Sequence, residues 1–176
     1  MIVAYQGTEG AFSHEACLRF LPDHEPVPVA TFADVVNEVR TGRAELGMLP
    51  LANNAAGETG TRELIEQARL QIVEEPVLPV RMHLLGLPSA TFDQIRTVVS
   101  HPVALRQCSK MLAALGVETE ETSNTALAAK ALTDPNRAVL ASEAAASIYG
   151  LAILKRDVHD RPDNATRFAI VSRDGQ

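Results

Sequence analysis

Short aliphatic runs alternate with amphipathic, helix-length segments along nearly the whole chain, and Gly or Pro marks most changes of period. That alternation limits the fold more than any other feature, because strand–helix–strand units build sheets covered by helices. Ile2 to Tyr5 read as a buried strand, Gly7 to Gly10 as a turn, and Ser13 as the cap of a helix running to Phe20. Val27 to Ala30 give a second strand. Thr31 and Asp34 have capping-box spacing ahead of an apolar face of Phe32, Val35, Val36 and Val39, and Gly42 stands where a C-cap glycine belongs. Leu46 to Leu49 read as a strand ending at Pro50, and residues 51–60 as a loop rich in Asn, Ala and Gly.

A helix carrying Leu64, Ile65 and Ala68 comes next. Strand material between Gln71 and Leu87 is broken by Pro76 and Pro79, which predicts a crossing between two lobes. Lobe 1 takes in about residues 1–77 plus the C-terminal strand region, and lobe 2 about 78–155. In the second lobe Thr97 to Ser100 read as a strand, and Pro102 opens a helix lined by Leu105, Cys108, Met111, Leu112 and Leu115 that ends at Gly116. Val117 to Glu120 and Ala138 to Ala141 read as strands, Thr125 to Leu132 as a helix, and Ser142 as the cap of a helix ending at Gly150. The last strands are Ile153-Leu154 and Phe168 to Ser172. The predicted architecture is α/β, with two βα lobes around a cleft inside one domain of 176 residues. Open α/β sheets bind ligands beyond the carboxyl ends of their strands. Three strand-to-helix junctions answer to that: Gly7 to Ser13, Leu51 to Thr61, and Ser100 to Pro102.

Composition removes whole classes of function. The formal net charge of −6 argues against nucleic acid or an anionic membrane as partner. Two Cys without a CxxC give neither a disulfide framework nor a zinc site. The N-terminus has no basic n-region, and no apolar run reaches about 18 residues, so a cytoplasmic protein is expected. Asp157, His159, Asp160 and Asp163 read as a solvated loop rather than a metal site, because Arg156 and Arg161 would repel a cation. Only 4% of residues are aromatic and none is Trp, so Ala, Val, Leu and Ile must fill the core.

Four segments carry chemistry: Gly7-Thr8-Glu9-Gly10-Ala11-Phe12-Ser13, Leu49 to Gly57 around Asn53, Ser100-His101-Pro102 followed by Gln107-Cys108, and Thr166-Arg167-Phe168. In that order the set resembles the catalytic domain of prephenate dehydratases over residues 2 to about 172. The resemblance implies two α/β lobes like a type II periplasmic binding protein, and conversion of prephenate to phenylpyruvate for phenylalanine synthesis. It implies Thr166 as the catalytic residue that assists departure of the ring hydroxyl. It implies Asn53, Ser100, Gln107 and Arg167 as substrate-binding residues, no cofactor, no metal, and a homodimer.

The match breaks around Asn53. Where the family reads Pro-Ile-Glu-Asn-Ser, this chain has Ala52 for the Glu and Asn54 for the Ser, and Glu58 and Arg62 bring in new charges. Those changes leave two alternatives open: a diverged enzyme that decarboxylates without aromatisation, and a non-catalytic module that binds a small carboxylate. Most family members continue into a phenylalanine-binding ACT domain. This chain ends at Gln176, so the expectation is a catalytic part without that regulator and no inhibition by phenylalanine.

Overall fold

Strand β1 (Ile2–Gln6) has three buried central residues because helices cover both faces of its sheet. Val3 and Tyr5 pack with Ala16 and Cys17 of helix α1 (Phe12–Phe20). Ala4, on the other face, joins the side of helix α2 (Phe32–Thr41). Between those helices runs β2 (Glu25–Val29), parallel to β1 at the sheet edge. Glu25 N donates to Met1 O, so the alternate residues Pro26 and Pro28 turn their missing N–H groups outward, where no ladder bond is lost. The predicted capping box closes α2: Asp34 N donates to Thr31 Oγ1, and Thr31 N donates to the Asp34 carboxylate. Gly42 ends it at φ 76°, a left-handed conformation that costs glycine little. Then come β3 (Leu46–Asn53), β4 (Gly57–Glu58), helix α3 (Thr61–Gln67), β5 (Gln71–Glu74) and β6 (Val77–Pro79).

The computed structural model describes residues 1–173, which divide into two units. The elements so far belong to the first, which holds residues 1–8, 12–79 and the chain from Ala165 on; the second holds 9–11 and 80–164.

The second unit has its own sheet. It comprises β7 (His83–Gly86), β8 (Thr97–Ser100), α4 (Pro102–Gln107), α5 (Ser109–Leu115), β9 (Glu118–Glu121), α6 (Thr125–Lys130), β10 (Arg137–Ala141), α7 (Glu143–Tyr149) and β11 (Ala152–Lys155). The order is β11-β7-β10-β8-β9, with β10, β8 and β9 parallel and β7 antiparallel to both β10 and β11. Its core is small and aliphatic: Leu85, Val99 and Val139 against Ala129, Ala145 and Ala146 of the helices. The helix predicted from Pro102 to Leu115 is two helices, broken at Cys108. Asp160 explains the break. Its N–H donates to Gln107 O at 2.6 Å, while its carboxylate accepts from Ser109 Oγ (2.7 Å) and Lys110 N (3.2 Å), capping the second helix from a distant loop. Residues 9–11 are held to α7. Ser142 Oγ donates to Gly10 O and Tyr149 OH donates to Glu9 O. A Cβ on Gly10 would lie 3.1 Å from Ala145 Cα.

The final strand, β12 (Ala165–Ser172), returns to the first unit and fills the middle of its sheet. The order is β2-β1-β3-β12-β5, with β4 on β3 and β6 on β12. Phe168 and Ile170 face the α1 side, Ala169 and Val171 the α2 side. Two predicted boundaries shift here. β3 does not stop at Pro50 but continues to Asn53, and β12 begins at Ala165 rather than Phe168. A bulge permits both: Arg167 pairs with Ala52 but Phe168 with Pro50, leaving Leu51 as the extra residue. Phe168 N then donates to Pro76 O, while Pro50 O accepts the hydroxyls of Thr59 and Thr61.

Candidate active site

The extension of β3 and β12 past the bulge builds the most distinctive polar group of the first unit. Thr166 lies between Asn53 of β3 and Leu78 of β6 in one row of the sheet. The residue is 9% exposed, and its side chain shares a face with Leu78 and Phe168. The Asn53 amide Nδ2 donates to Thr166 Oγ1 at 2.9 Å and to Ala165 O at 3.1 Å. Its Oδ1 accepts from Ala55 N and Ala56 N, both at 2.9 Å, so the same side chain shapes the following turn. Asn54 continues the grip: its N–H donates to Ala165 O and its Oδ1 accepts from Ala165 N.

Successive residues of a strand leave on opposite faces. Arg167 therefore points away from Thr166, toward α3. Its Nε lies 3.9 Å from Glu75, whose other carboxylate oxygen takes Arg62 Nη2 at 3.0 Å. In the register Arg167 is followed by Ala52 and then Glu58.

Ser100 and Gln107 belong to the second unit. Ser100 is fully buried and its hydroxyl donates to Leu140 O at 2.9 Å, with Thr125 Oγ1 at 3.2 Å. Thr125 Oγ1 also accepts His101 N, and His101 Nδ1 accepts Val103 N, which fixes the start of α4. Gln107 ends that helix. Its Oε1 accepts from Asn164 Nδ2 at 3.2 Å, which orients the Gln107 amide with its own N–H pair away from Asn164. Asn164 is 3% exposed. The sequence shows it only as a turn residue before Thr166, and its tie to Gln107 spans 57 positions that no local pattern reveals. Asp160 is likewise a positioning group that the sequence shows only as one of several loop acids.

Burial pushes the thiols of Cys17 and Cys108 up to about 12, so both are neutral near pH 7 and poor nucleophiles. The loop carboxylates are engaged: Asp157 with Arg81, Asp160 with Ser109 and Lys110, Asp163 with Arg161. Among the described residues no three His, Cys, Asp or Glu side chains gather as metal ligands do. The chemistry available is that of positioned neutral donors, a hydroxyl and amides.

A sequence model of prephenate dehydratase matches residues 3–176. The chain belongs to the prephenate dehydratase family. Its relatives include an arogenate dehydratase/prephenate dehydratase of Arabidopsis thaliana, 38% identical over 98% of this chain and 46% of that protein. A bifunctional N-acyl-homoserine lactone acylase/prephenate dehydratase of Komagataeibacter europaeus is 39% identical over 98% of this chain and 63% of its own length. The chain thus spans about half the length of its plant relatives. The crystal structure of prephenate dehydratase from Arthrobacter aurescens in complex with L-Phe superposes with a TM-score of 0.89 at 26% identity, covering all of this chain and 61% of that one. A periplasmic substrate-binding protein from Coxiella burnetii shares the two-sheet α/β fold alone, at a TM-score of 0.51 and 11% identity over 98% of this chain and 84% of that one.

For a prephenate dehydratase family member the two departures around Asn53 have visible structural results. Arg167 lies opposite Ala52 on β3 and has Glu75 as its acidic neighbour at 3.9 Å. Asn54 reaches the Ala165 backbone with its side chain.

Proposed function

We propose that this chain converts prephenate to phenylpyruvate, with carbon dioxide and water as the other products. The ring C–CO2 bond breaks and its electron pair enters the ring. The C–O bond at the opposite carbon breaks and its pair leaves with the hydroxyl, which takes one proton to become water. Aromatisation drives the step, so the protein needs to hold two carboxylates and supply a donor to the departing oxygen. Thr166 is that donor, and its proton is replaced from solvent. The observation that carries this reading is the Thr166 hydroxyl, nearly buried, in register with Asn53 and tied to it at 2.9 Å.

The Gln107 N–H pair is proposed to hold a substrate carboxylate, since its oxygen is already committed to Asn164. Ser100 and Arg167 are proposed to serve the same substrate indirectly. Ser100 fixes the start of α4 from beneath, and Arg167 balances Glu75. Both units are proposed to work as one catalytic domain, and as a homodimer; family resemblance supports the second. The test is to incubate purified protein with prephenate at neutral pH and identify products by mass spectrometry, beside an enzyme-free control. Phenylpyruvate made by the wild type and formed far more slowly, though still measurably, by Thr166→Ala is expected. A product that has lost carbon dioxide but kept its hydroxyl, or prephenate left unchanged, would overturn the reading.

A further inference from the structure

We propose that Asn53 and Asn54 act as a clamp: Asn53 aims the Thr166 proton, and Asn54 holds the backbone that carries it. The inference rests on the dehydratase reading above and assigns positioning residues to it.

A threonine hydroxyl is ambivalent. It has one proton and two lone pairs, and it rotates freely about Cβ–Oγ. Left to itself it accepts as readily as it donates, and a departing hydroxyl needs a donor. Asn53 removes the ambiguity by giving an N–H to Thr166 Oγ1, which occupies a lone pair from the β3 side. The hydroxyl proton then has no acceptor in Asn53 Nδ2 and is directed away from it, toward a bound substrate. The orientation of the Asn53 amide is fixed independently, because its Oδ1 takes two backbone N–H groups from the turn. A flipped amide would set an acceptor against Ala165 O and donors against Ala55 and Ala56.

The clamp also fixes the backbone that carries Thr166. Ala165 O receives both Asn53 Nδ2 and Asn54 N, and Ala165 N gives its hydrogen to Asn54 Oδ1. Both polar groups of the residue before Thr166 are thus held by the Asn pair. A serine at position 54 ends one bond earlier and would not span the same gap.

A double-mutant cycle tests this, with kcat at saturating prephenate measured for wild type, Asn53→Asp, Thr166→Ala and the double variant. Asp at 53 keeps both acceptors for Ala55 N and Ala56 N but presents an acceptor to Thr166, turning its proton inward. A fall of about 100-fold in kcat is expected for Asn53→Asp, within the range that general acids contribute, and no further fall when it is added to Thr166→Ala. Asn54→Ser is expected to lower kcat about 5- to 10-fold with KM nearly unchanged, and again to have no effect in the Thr166→Ala background. Should Asn53→Asp fail to fold, Asn53→Ala completes the same cycle. Multiplicative losses, or a change confined to KM, would overturn the clamp while leaving the dehydratase standing. A wild type inert toward prephenate would overturn both.

Discussion

A side chain whose polar atoms are all spoken for cannot easily do two jobs, and that rule separates the candidate residues. Gln107 has its oxygen committed to Asn164 and its N–H pair turned away from it. Gln107→Glu keeps an acceptor for Asn164 but loses the donors. Steady-state kinetics should show KM for prephenate rising at least about 10-fold, with the melting temperature almost unmoved; a KM equal to wild type would exclude Gln107 from binding. Thr166 and Gln107 were singled out in the sequence through family motifs. The service roles of Asn164 and Asp160 were not, because each bonds a residue some 50 positions away and no spacing rule encodes such a meeting. Ser100 shows the reverse. Its motif marks it for substrate, yet burial and the Leu140 carbonyl account for its hydroxyl.

At the level of elements, period and capping were read well wherever they are local. The Thr31–Asp34 box, Gly42, Pro102, Ser142 and the strand Thr97–Ser100 all fall where the residues place them. The errors came where a partner from elsewhere decides. Pro50 is a sound stop signal for a strand that needs its N–H, but the bulge against Phe168 lets β3 run on. An unbroken apolar face from Leu105 to Leu115 is a sound helix signal, but Asp160 takes the Gln107 carbonyl and caps a new helix at Ser109. Asp160→Ala should therefore cost about 1 kcal/mol, as loss of a helix cap does, and lower the urea midpoint accordingly. An unchanged midpoint would show that the break is set by Cys108 itself. Gly10→Ala is expected to be worse than an ordinary turn substitution, since it adds strain at φ +85° to a 3.1 Å approach to Ala145. Thermal melting would register it.

For the molecule as a whole, acid sensitivity has an identifiable source. His83 is buried, and its Nδ1 accepts Asp157 N at 3.0 Å, which requires the unprotonated nitrogen. Burial holds its pKa below the usual value; Asp157 and Glu143 oppose that shift, and Arg156 and His159 add to it. A group with a depressed folded pKa contributes its full stability above the unfolded value of about 6.5 and loses it as pH falls below that. Urea midpoints measured from pH 7.5 down to 5 should decline, and the decline should flatten in His83→Gln, which keeps an acceptor but does not titrate.

The two units also differ in how their residues are drawn from the chain. Apart from residues 9–11, the second is one continuous stretch, while the first needs β12 in the middle of its sheet. A chain cut after residue 164 should keep slow hydrogen exchange in β8 and β10 but lose it in β3. Protection in β3 of the cut chain would contradict this. During synthesis the same arrangement imposes a wait. Asn53 leaves the ribosome 112 residues before Ala165, roughly 6–22 s earlier at ordinary elongation rates. Through that interval β3 has no partner on its β12 side, and its apolar residues are exposed to any helper or neighbour in reach. The strand that ends the wait is also the one that brings Thr166 beside Asn53, so the sheet and the Asn53–Thr166 pair are completed within the same few residues.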